Sequence, residues 1–552
     1  MRIEGQAQDR DGSDDMQAIR AAGRVHWANH VRRNAHQVPV GTAVRHRGES
    51  ITWAELGARL ERAATVMHRL GVGPGDRVAL LLTNVVEYVE LTTAAMSLGA
   101  IVVPMNFRLT GHEAAFILED SEPSILFLEQ ATLDLGVEAS RLSATAAASI
   151  LIDGPQGGHP RSFDFASLVA EGGTAPGAID VPEDTPCLLL YTSGTTGRPK
   201  GAVLTHANMQ QQTATMIRAW NLVNDSDVYL CSGPLFHAAG MGALGAFLFV
   251  GATIALHPSG AFSPADILNA VESERATILF LVPTQWHDLL AELDIERRCR
   301  TLRLVGWGSA PATLALLERI EAALPGIPNI AMFGQSELSP TTCVLDSKDA
   351  ARKIGSVGKP VAAVQIRVVD DQMNDVPAGQ VGEIVYRGST LMSSYWRRPE
   401  ATAEAFAGGW FHSGDLVRVD NDGFVFVVDR KKDMIISGGE NIFCAELENV
   451  IVKHPCVDAV AVIGRSHERW GEVPVAVIVP SAGKTVTLEQ IRGWCITESL
   501  SRFKLPRAVE IVSALDTNAS GKVMKATLRQ RFGRAERPAA RGDVGAVGDA
   551  PP

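Results

Sequence analysis

Small hydroxylated residues alternate with glycines in one segment that directly follows an apolar run. The apolar residues 187–191 (CLLLY) continue into 191–201, YTSGTTGRPKG. Glycines let backbone N–H groups turn towards an anion, hydroxyl groups add donors, and Lys200 supplies positive charge. The spacing is not that of a Walker A loop, G-x-x-x-x-G-K-[ST]. The segment therefore suits a polyphosphate, and a solvated turn is the alternative for such a segment taken alone.

Further polar motifs follow along the chain: FGQSE at 333–337, SGD at 413–415, DRKKDMIISGGEN at 429–441 and NASGK at 518–522. With the YTSGTTGRPKG string, and in this order, they resemble the signature motifs of the adenylate-forming superfamily. That superfamily comprises acyl-CoA synthetases, luciferases and the adenylation domains of peptide synthetases. The resemblance spans residues 25–530 and is strongest to bacterial, particularly actinobacterial, long-chain fatty-acyl-CoA ligases.

The resemblance implies an acid–thiol ligase that uses ATP, Mg2+ and coenzyme A. A carboxylate is a poor acyl donor, whereas an acyl adenylate has AMP as its leaving group. Bringing two anions together requires charge neutralisation at the phosphates. The resemblance assigns Mg2+ to Glu337 with Thr195, and places Lys522 between the substrate carboxylate and the α-phosphate. It assigns phosphate binding to Lys200 and to Thr192, Ser193, Gly194, Thr195 and Thr196.

The resemblance also assigns the nucleotide and coenzyme A contacts. Asp415 is expected to bind the ribose hydroxyl groups, with help from Arg430, and Lys432 occupies the pivot position between the two half-reactions. Trp470 is expected either to stack on the coenzyme A adenine or to be a half-buried packing residue. The adenine of ATP is assigned to Gly308, Ser309, Ala310, Phe333 and Gly334, and the pantetheine tunnel to Gly438 and Gly439.

The substrate prediction depends on residues 234–248, PLFHAAGMGALGAFL. This segment offers His237 and no carboxylate to hold an amino group, so an amino acid substrate is disfavoured. His237 is expected to gate the acyl pocket or to contact the substrate carboxylate, and a packed core histidine is the alternative. Small residues here, together with Gly334 and Ala310, could leave a tunnel for an alkyl chain, in which each buried methylene contributes about 0.8 kcal/mol. The sequence analysis therefore favours a medium- or long-chain fatty acid, with an aryl or other carboxylate as the alternative.

Other enzyme classes fit the sequence less well. Residues 240–245, GMGALG, match the G-x-G-x-x-G of nicotinamide-binding proteins, with Asp266 further along, but no strand ends directly at the first glycine. No G-x-S-x-G elbow is present, and HEAAF at 112–116 lacks the second histidine of a zinc protease. A fatty acyl-AMP ligase that loads a carrier protein stays open, although no insertion is visible between Glu337 and Arg430.

The pattern of apolar runs predicts an α/β fold with doubly wound sheets. Strand-like segments such as 77–82, 100–104, 277–283 and 303–308 are separated by helical stretches. Closely spaced β segments from 361 onward predict a small antiparallel subdomain. Residues 431–533 then combine helical and strand-like segments, which predicts a compact α+β domain. The resemblance implies that this C-terminal domain is mobile.

The domain boundaries follow from these changes in the pattern of helical and strand-like segments. We predict a tail at 1–22, an AMP-binding N-terminal domain at 23–430, a C-terminal domain at 431–533 and a disordered Pro/Gly/Ala-rich tail at 534–552.

Residues 238–256 contain no charge over 19 positions, which by length could span a membrane. Gly251 and the following TIALHP predict instead a buried helix, a turn and a strand.

The composition limits which classes of binding partner and which cell compartment fit the chain. The 552 residues carry a net charge of −11, with 51 Lys+Arg against 62 Asp+Glu, which argues against a nucleic-acid-binding face. Seven cysteines without a C-x-x-C pair argue against a disulfide framework. The polar N-terminus predicts no signal peptide. We expect a cytoplasmic enzyme of small-molecule substrates; peripheral membrane contact and a homodimer stay open.

Overall fold

The computed structural model describes residues 12–144, 147–154, 162–192, 199–223, 225–260, 262–309, 312–350, 352–438, 440–498, 500–517 and 523–534. The chain divides into two compact units. The first takes in residues up to 366 together with 386–411, and the second takes in 367–385 together with residues from 412 onward. The predicted domain boundary after Arg430 stays a prediction.

The first unit contains a nine-stranded sheet whose centre is parallel and whose edges are antiparallel. The central strands are apolar because a parallel sheet with helices on both faces is buried on both sides. In spatial order the strands are Lys359–Pro360, Thr341–Leu345, Asn329–Gly334, Leu304–Gly308, Ile278–Leu281, Val228–Cys231, Thr253–Leu256, Thr42–His46 and Glu49–Thr52.

An eight-stranded sheet forms the other half of the first unit, again with a parallel centre. Its strand Pro186–Thr192 pairs in parallel with Ile101–Pro104 and antiparallel with Lys200–Thr205. In spatial order the strands are Ser394–Tyr395, Lys200–Thr205, Pro186–Thr192, Ile101–Pro104, Arg77–Leu81, Ile125–Leu128, Ala148–Leu151 and Ser162–Asp164. The predicted α/β architecture with large parallel sheets is confirmed.

Helices connect these strands, and several of them begin at a side-chain cap. Thr52, Thr110 and Thr205 each accept a hydrogen bond from the third residue of the helix that follows, whose side chain bonds back to the cap. The helices of the first unit are Gly12–Gly23, Trp27–Gln37, Trp53–Arg69, Val86–Ser97, Gly111–Ser121, Leu133–Leu142, Phe165–Ala170, His206–Ala219, Ala238–Val250, Pro264–Glu274, Pro283–Leu289, Ile295–Arg298, Leu314–Ala323, Ser347–Ala350 and Pro399–Ala405.

The uncharged segment 238–256 forms the buried helix Ala238–Val250, a left-handed turn at Gly251 and the strand Thr253–Leu256. The buried interpretation is therefore confirmed. Among the described residues, no helix is both long and apolar enough to cross a membrane. The G-x-G-x-x-G match lies inside this helix and not at a strand-to-helix turn, which removes the structural basis for nicotinamide binding.

The second unit contains two smaller sheets. One has the strand order Val364–Val369, Val381–Gly388, Phe411–Val419 and Val425–Arg430, and its last two strands are antiparallel. The other sheet has the strand order Glu440–Ile442, Ile435–Ser437, Gly471–Pro480 and Val457–His467. The strand Ala508–Ile511 also pairs with Gly471–Pro480. The helices Cys444–Ile451, Leu488–Thr497 and Lys525–Phe532 bury Leu447, Ile491 and Leu528 against this second sheet. The predicted smaller α+β part is present.

Candidate active site

A contact between Thr192 and Glu337 joins the two large sheets of the first unit. Thr192 ends the strand Pro186–Thr192, and Glu337 lies in the 3-10 turn Ser336–Leu338 that follows the strand Asn329–Gly334. The Thr192 hydroxyl donates to Glu337 Oε1 at 3.4 Å. Two predicted site residues, 145 positions apart, thus meet at the carboxyl ends of strands, where α/β sheets bind ligands.

Glu337 is buried, with 8% of its surface exposed. The Tyr395 hydroxyl donates to the same Oε1 atom at 3.0 Å. The ammonium group of Lys200 lies 5.1 Å from the centre of the Tyr395 ring, within the range of a cation–π interaction. A carboxylate, two hydroxyl groups and a cation therefore surround one point beside the predicted phosphate-binding segment.

Tyr395 is a site residue that the sequence analysis missed. It stands on the two-residue edge strand Ser394–Tyr395, which pairs with Lys200–Thr205 and places Tyr395 opposite Ala202. Burial and the adjacent Glu337 carboxylate raise the pKa of the Tyr395 phenol above its usual value. The hydroxyl therefore stays protonated and serves Glu337 as a hydrogen-bond donor.

We expect Tyr395→Phe to lower the rate of acyl-adenylate formation by about 10-fold, because a hydrogen bond to a charged group contributes about 1.5–3 kcal/mol. ATP–pyrophosphate exchange measures this rate. Tyr88→Phe is the matched control, since the Tyr88 hydroxyl is buried without a hydrogen-bond partner among the described residues. Equal rates for the Tyr395 and Tyr88 variants would contradict a role for the Tyr395 hydroxyl.

The predicted adenine residues lie together at the ends of two neighbouring parallel strands. Gly308 ends Leu304–Gly308 and pairs in register with Met332, so Ser309 and Phe333 follow side by side. A Cβ atom on Gly308 would lie 2.5 Å from the Met332 carbonyl oxygen. Ser309 is exposed at φ 66°, and Phe333 is half-buried. The structure therefore brings Gly308, Ser309 and Phe333 together, and their role in binding adenine stays a prediction.

His237 caps the helix Ala238–Val250. Its Nδ1 atom accepts a hydrogen bond from the Ala239 backbone N–H at 3.3 Å. Burial lowers the pKa of His237, and the positive end of the helix further disfavours its protonation. The ring is therefore neutral with its proton on Nε2, so the free side of His237 is a hydrogen-bond donor.

Three of the glycines expected to border the acyl pocket are in close contact with neighbouring elements. A Cβ atom on Gly242 would lie 2.6 Å from Pro340 Cδ, and one on Gly245 would lie 2.4 Å from Thr213 Oγ1. A Cβ atom on Gly334 would lie 1.8 Å from the Pro340 carbonyl oxygen. These glycines permit close packing of neighbouring elements, so the space directly beside them is occupied, and a tunnel elsewhere in the pocket stays a prediction. Ala310 lies outside the described residues.

In the second unit, Asp415 and Arg430 face each other across the strands Phe411–Val419 and Val425–Arg430. Arg430 Nε contacts Asp415 Oδ1 at 2.5 Å, and the Asp415 side chain is 3% exposed. The Ser413 hydroxyl accepts from the Asp415 backbone N–H at 3.0 Å. The structure thus brings together the two residues that were predicted for ribose recognition, with the guanidinium placed directly beside the buried carboxylate.

Glu383 supports the backbone at Gly414, inside the strand Phe411–Val419, and was also missed by the sequence analysis. Its buried carboxylate accepts from the Gly414 backbone N–H at 3.0 Å and contacts Lys431 Nζ and His412 Nδ1, each at 3.2 Å. Gly414 has φ 69°, a conformation that glycine adopts without strain. Glu383 therefore fixes the backbone at Gly414, the residue before Asp415.

The remaining coenzyme A candidates lie within the second unit. Gly438 has φ 61°, and its backbone N–H donates to the Trp470 carbonyl oxygen at 2.8 Å. A Cβ atom on Gly438 would lie 2.7 Å from the Trp470 ring, so the half-buried indole packs directly on this glycine. Lys432 is exposed in the turn after Arg430. Partial desolvation of its ammonium group lowers the pKa of Lys432; the nearby Arg430 and Arg529 lower it further, and Asp433 and Asp415 oppose the shift.

Several predicted site residues lie outside the described residues: Ser193, Gly194, Thr195, Thr196, Ala310, Gly439 and Lys522.

Two family models match the chain. Residues 31–396 match the model described as AMP-binding enzyme, and residues 446–522 match the model described as AMP-binding enzyme C-terminal domain.

Two relatives with curated functions are similar over nearly their whole length. The feruloyl-CoA synthase of an Amycolatopsis species is 42% identical over 509 residues, which cover 91% of this chain and 98% of that enzyme. The indoleacetate–CoA ligase of Aromatoleum aromaticum is 35% identical over 517 residues, covering 91% and 97%. Both names refer to aromatic acids, not to the long-chain fatty acids that the sequence analysis favoured.

A solved synthetase has the same architecture. The o-succinylbenzoate CoA synthetase of Bacillus subtilis in complex with its acyl-adenylate intermediate superposes with a TM-score of 0.81 at 31% identity, covering 94% of this chain and 99% of that one. The same synthetase in complex with ATP and a magnesium ion gives a TM-score of 0.79 at 31% identity, covering 91% and 99%.

Proposed function

The chain belongs to the family of AMP-binding enzymes, and we propose that it is an ATP-dependent aryl-CoA ligase. It joins an aromatic carboxylic acid to coenzyme A through an acyl adenylate and releases AMP and pyrophosphate. The observation that carries this proposal is the nearly full-length similarity to feruloyl-CoA synthase at 42% identity. A fatty acid is the less favoured substrate, because Gly242, Gly245 and Gly334 are each filled by a neighbouring element.

The residues around Glu337 fit a magnesium ion held by oxygen ligands, which are the ligands that this ion prefers. We assign the ion to the Glu337 carboxylate, with Thr192 and Tyr395 orienting that carboxylate and Thr195 as the further predicted neighbour. When bound, magnesium neutralises negative charge on the phosphates of ATP. Lys200 adds a second positive charge beside Tyr395.

The two half-reactions then proceed as follows. The substrate carboxylate oxygen bonds to the α-phosphorus while the bond to pyrophosphate breaks. The coenzyme A sulfur next bonds to the acyl carbon, and AMP leaves. We assign Lys522 to the carboxylate and α-phosphate in the first step, Asp415 with Arg430 to the ribose, and the neutral His237 to the substrate carboxylate as a donor from Nε2.

A substrate panel tests this proposal. Purified protein is given ATP, Mg2+, coenzyme A and one acid at a time: ferulate, indole-3-acetate, benzoate, octanoate, dodecanoate or hexadecanoate. Pyrophosphate release and thioester formation are measured separately. We expect kcat/KM for the preferred aromatic acid to exceed that of every fatty acid by at least about 10-fold, the scale on which an apolar pocket discriminates.

Each outcome of the panel decides something. A preference for hexadecanoate would overturn the aromatic assignment but leave the ligase intact. Pyrophosphate release without a thioester would point to a carrier protein in place of coenzyme A as the acceptor. No pyrophosphate with any acid, in a protein that still binds ATP, would overturn the ligase proposal.

A further inference from the structure

Asp120 lies at the end of the helix Gly111–Ser121 and outside every motif of the chain. Its side chain is 9% exposed. Its Oδ2 atom accepts from the Tyr191 hydroxyl at 2.7 Å, and its Oδ1 atom accepts from the Arg398 guanidinium. Its backbone carbonyl accepts from Trp396 Nε1 at 3.0 Å. One residue therefore ties together two segments, 71 and 276 positions further along the chain.

Both segments lead directly to Glu337. Tyr191 precedes Thr192, and Trp396 follows Tyr395. The hydroxyl groups of Thr192 and Tyr395 both donate to Glu337 Oε1, at 3.4 and 3.0 Å. The strand Pro186–Thr192 and the edge strand Ser394–Tyr395 do not pair with each other, because Lys200–Thr205 lies between them. Asp120 spans this gap: its carboxylate binds Tyr191 and Arg398, and its backbone carbonyl binds Trp396.

The Asp120 carboxylate holds both segments by charge as well as by hydrogen bonding. Burial and Asp120 together raise the pKa of the Tyr191 phenol, which therefore stays a donor. Arg398 gives Asp120 a positive partner in partly buried surroundings, where a charge-assisted hydrogen bond is stronger than a neutral one. Removing the negative charge would leave Arg398 without this partner and would loosen Tyr191.

We propose that Asp120 is a positioning residue that orients the Glu337 carboxylate for magnesium through Tyr191–Thr192 on one side and Trp396–Tyr395 on the other. This inference rests on the proposed function. Removing a residue that orients a metal ligand weakens metal binding by about 10–100-fold. Asp120 contacts neither substrate nor metal in this scheme and acts through Thr192 and Tyr395.

The test measures magnesium affinity directly. ATP binding is followed by calorimetry at a series of Mg2+ concentrations for the wild type, Asp120→Asn and Glu122→Gln. Glu122 is the matched control, because it lies next to the same helix end and pairs with Arg397 at 2.7 Å on the surface, with side chains 53% and 46% exposed. We expect Asp120→Asn to need about 10-fold or more Mg2+ for half-maximal binding, and Glu122→Gln to match the wild type.

A second readout separates positioning from general damage. Thioester formation from a supplied acyl adenylate begins after pyrophosphate has left, so we expect Asp120→Asn to retain it within about twofold, as a variant whose effect is confined to the phosphate site should. Tyr191→Phe removes only the hydroxyl donor, and its effect on the Mg2+ requirement should be non-additive with Asp120→Asn, because the two residues act in one chain of contacts.

The outcomes distinguish the two proposals. Equal Mg2+ requirements for the wild type and Asp120→Asn, in an active enzyme, would overturn the positioning role. Loss of both half-reactions together with a large drop in the melting temperature of Asp120→Asn would also overturn it in favour of a purely structural role. Absence of ATP–pyrophosphate exchange in the wild type would overturn the proposed function itself.

Discussion

We expect Glu337→Gln to lower the rate of acyl-adenylate formation by about 10²–10³-fold, the usual cost of removing one preorganised charged or donor group from a reacting centre. Glutamine keeps the shape and one acceptor oxygen for Thr192 and Tyr395, so the fold around residue 337 should persist. What is lost is the negative charge that we assign to magnesium. ATP–pyrophosphate exchange at saturating Mg2+ measures the effect.

Glu404→Gln is the matched control for this substitution. Glu404 is an exposed carboxylate in the helix Pro399–Ala405, and its charge also acts on Tyr395. We expect this variant to exchange pyrophosphate at the wild-type rate. If Glu337→Gln retained more than about a third of the wild-type rate while its melting temperature was unchanged, the assignment of magnesium to Glu337 would fail, since a true ligand costs far more.

We also expect acid to destabilise the first unit through three buried histidines. His26, His30 and His206 are 3–4% exposed. The His26 and His206 rings lie 5.2 Å apart, and His30 Nε2 contacts Gln210 Oε1 at 3.0 Å. Burial lowers the pKa of His26 to about 3 and those of His30 and His206 to about 4.

The sign of the effect follows from proton binding. Above pH 6.5 these histidines are neutral in both the folded and the unfolded chain and contribute no pH dependence. As the pH falls from about 6.5 to about 4, the unfolded chain binds protons that the folded chain excludes, so stability falls. Three such protons correspond to a slope of about 4 kcal/mol per pH unit. Glu90 opposes them, because burial raises its pKa to about 7 and the folded chain then binds its proton first.

His206→Met isolates one of these protons. The His206 Nε2 atom is buried without a hydrogen-bond partner among the described residues, so methionine should cost little at pH 7.5. Below pH 6.5 the free energy of unfolding of the variant should exceed that of the wild type by about 1.4 kcal/mol more for each unit by which the pH falls. Urea titrations followed by tryptophan fluorescence between pH 7.5 and 4.5 measure this difference.

The exposed His68 provides the comparison for this experiment. His68→Met removes a solvent-exposed side chain and controls for the substitution itself, and we expect its curve to run parallel to that of the wild type. A His206→Met curve that stayed parallel to the wild-type curve over the whole range would show that the folded protein binds the His206 proton as readily as the unfolded chain, and would contradict this prediction.

Local patterns in the sequence predicted the elements that carry the site. Apolar runs ending in Gly or Ser/Thr predicted the strands before Thr192 and Gly308, and Gly251 correctly divided the uncharged segment 238–256 into helix and strand. Such features depend on neighbours in the chain, since a strand buried on both faces must be apolar and a left-handed turn favours glycine.

The substrate prediction depended on what fills a space, and here the sequence was misleading. Gly242 and Gly245 suggested an open tunnel, yet Pro340, Thr213 and Trp27 occupy the space beside them. A glycine in a helix either leaves a cavity or admits a neighbouring element, and the composition of the helix is the same in both cases. Protein interiors are close-packed, so the second outcome is the usual one.

The sequence by itself determined the family motifs, the α/β architecture and the pairing of Asp415 with Arg430 as ribose candidates. Only the tertiary structure brought Tyr395 to Glu337 across 58 positions and linked Asp120 to Tyr191 and Trp396, the chain neighbours of Thr192 and Tyr395. Neither residue belongs to a motif with a characteristic spacing. Their neighbours are set by the order of strands in the eight-stranded sheet and by the helix that packs on it, and contacts of this kind arise from long-range packing, which leaves no local pattern in the chain.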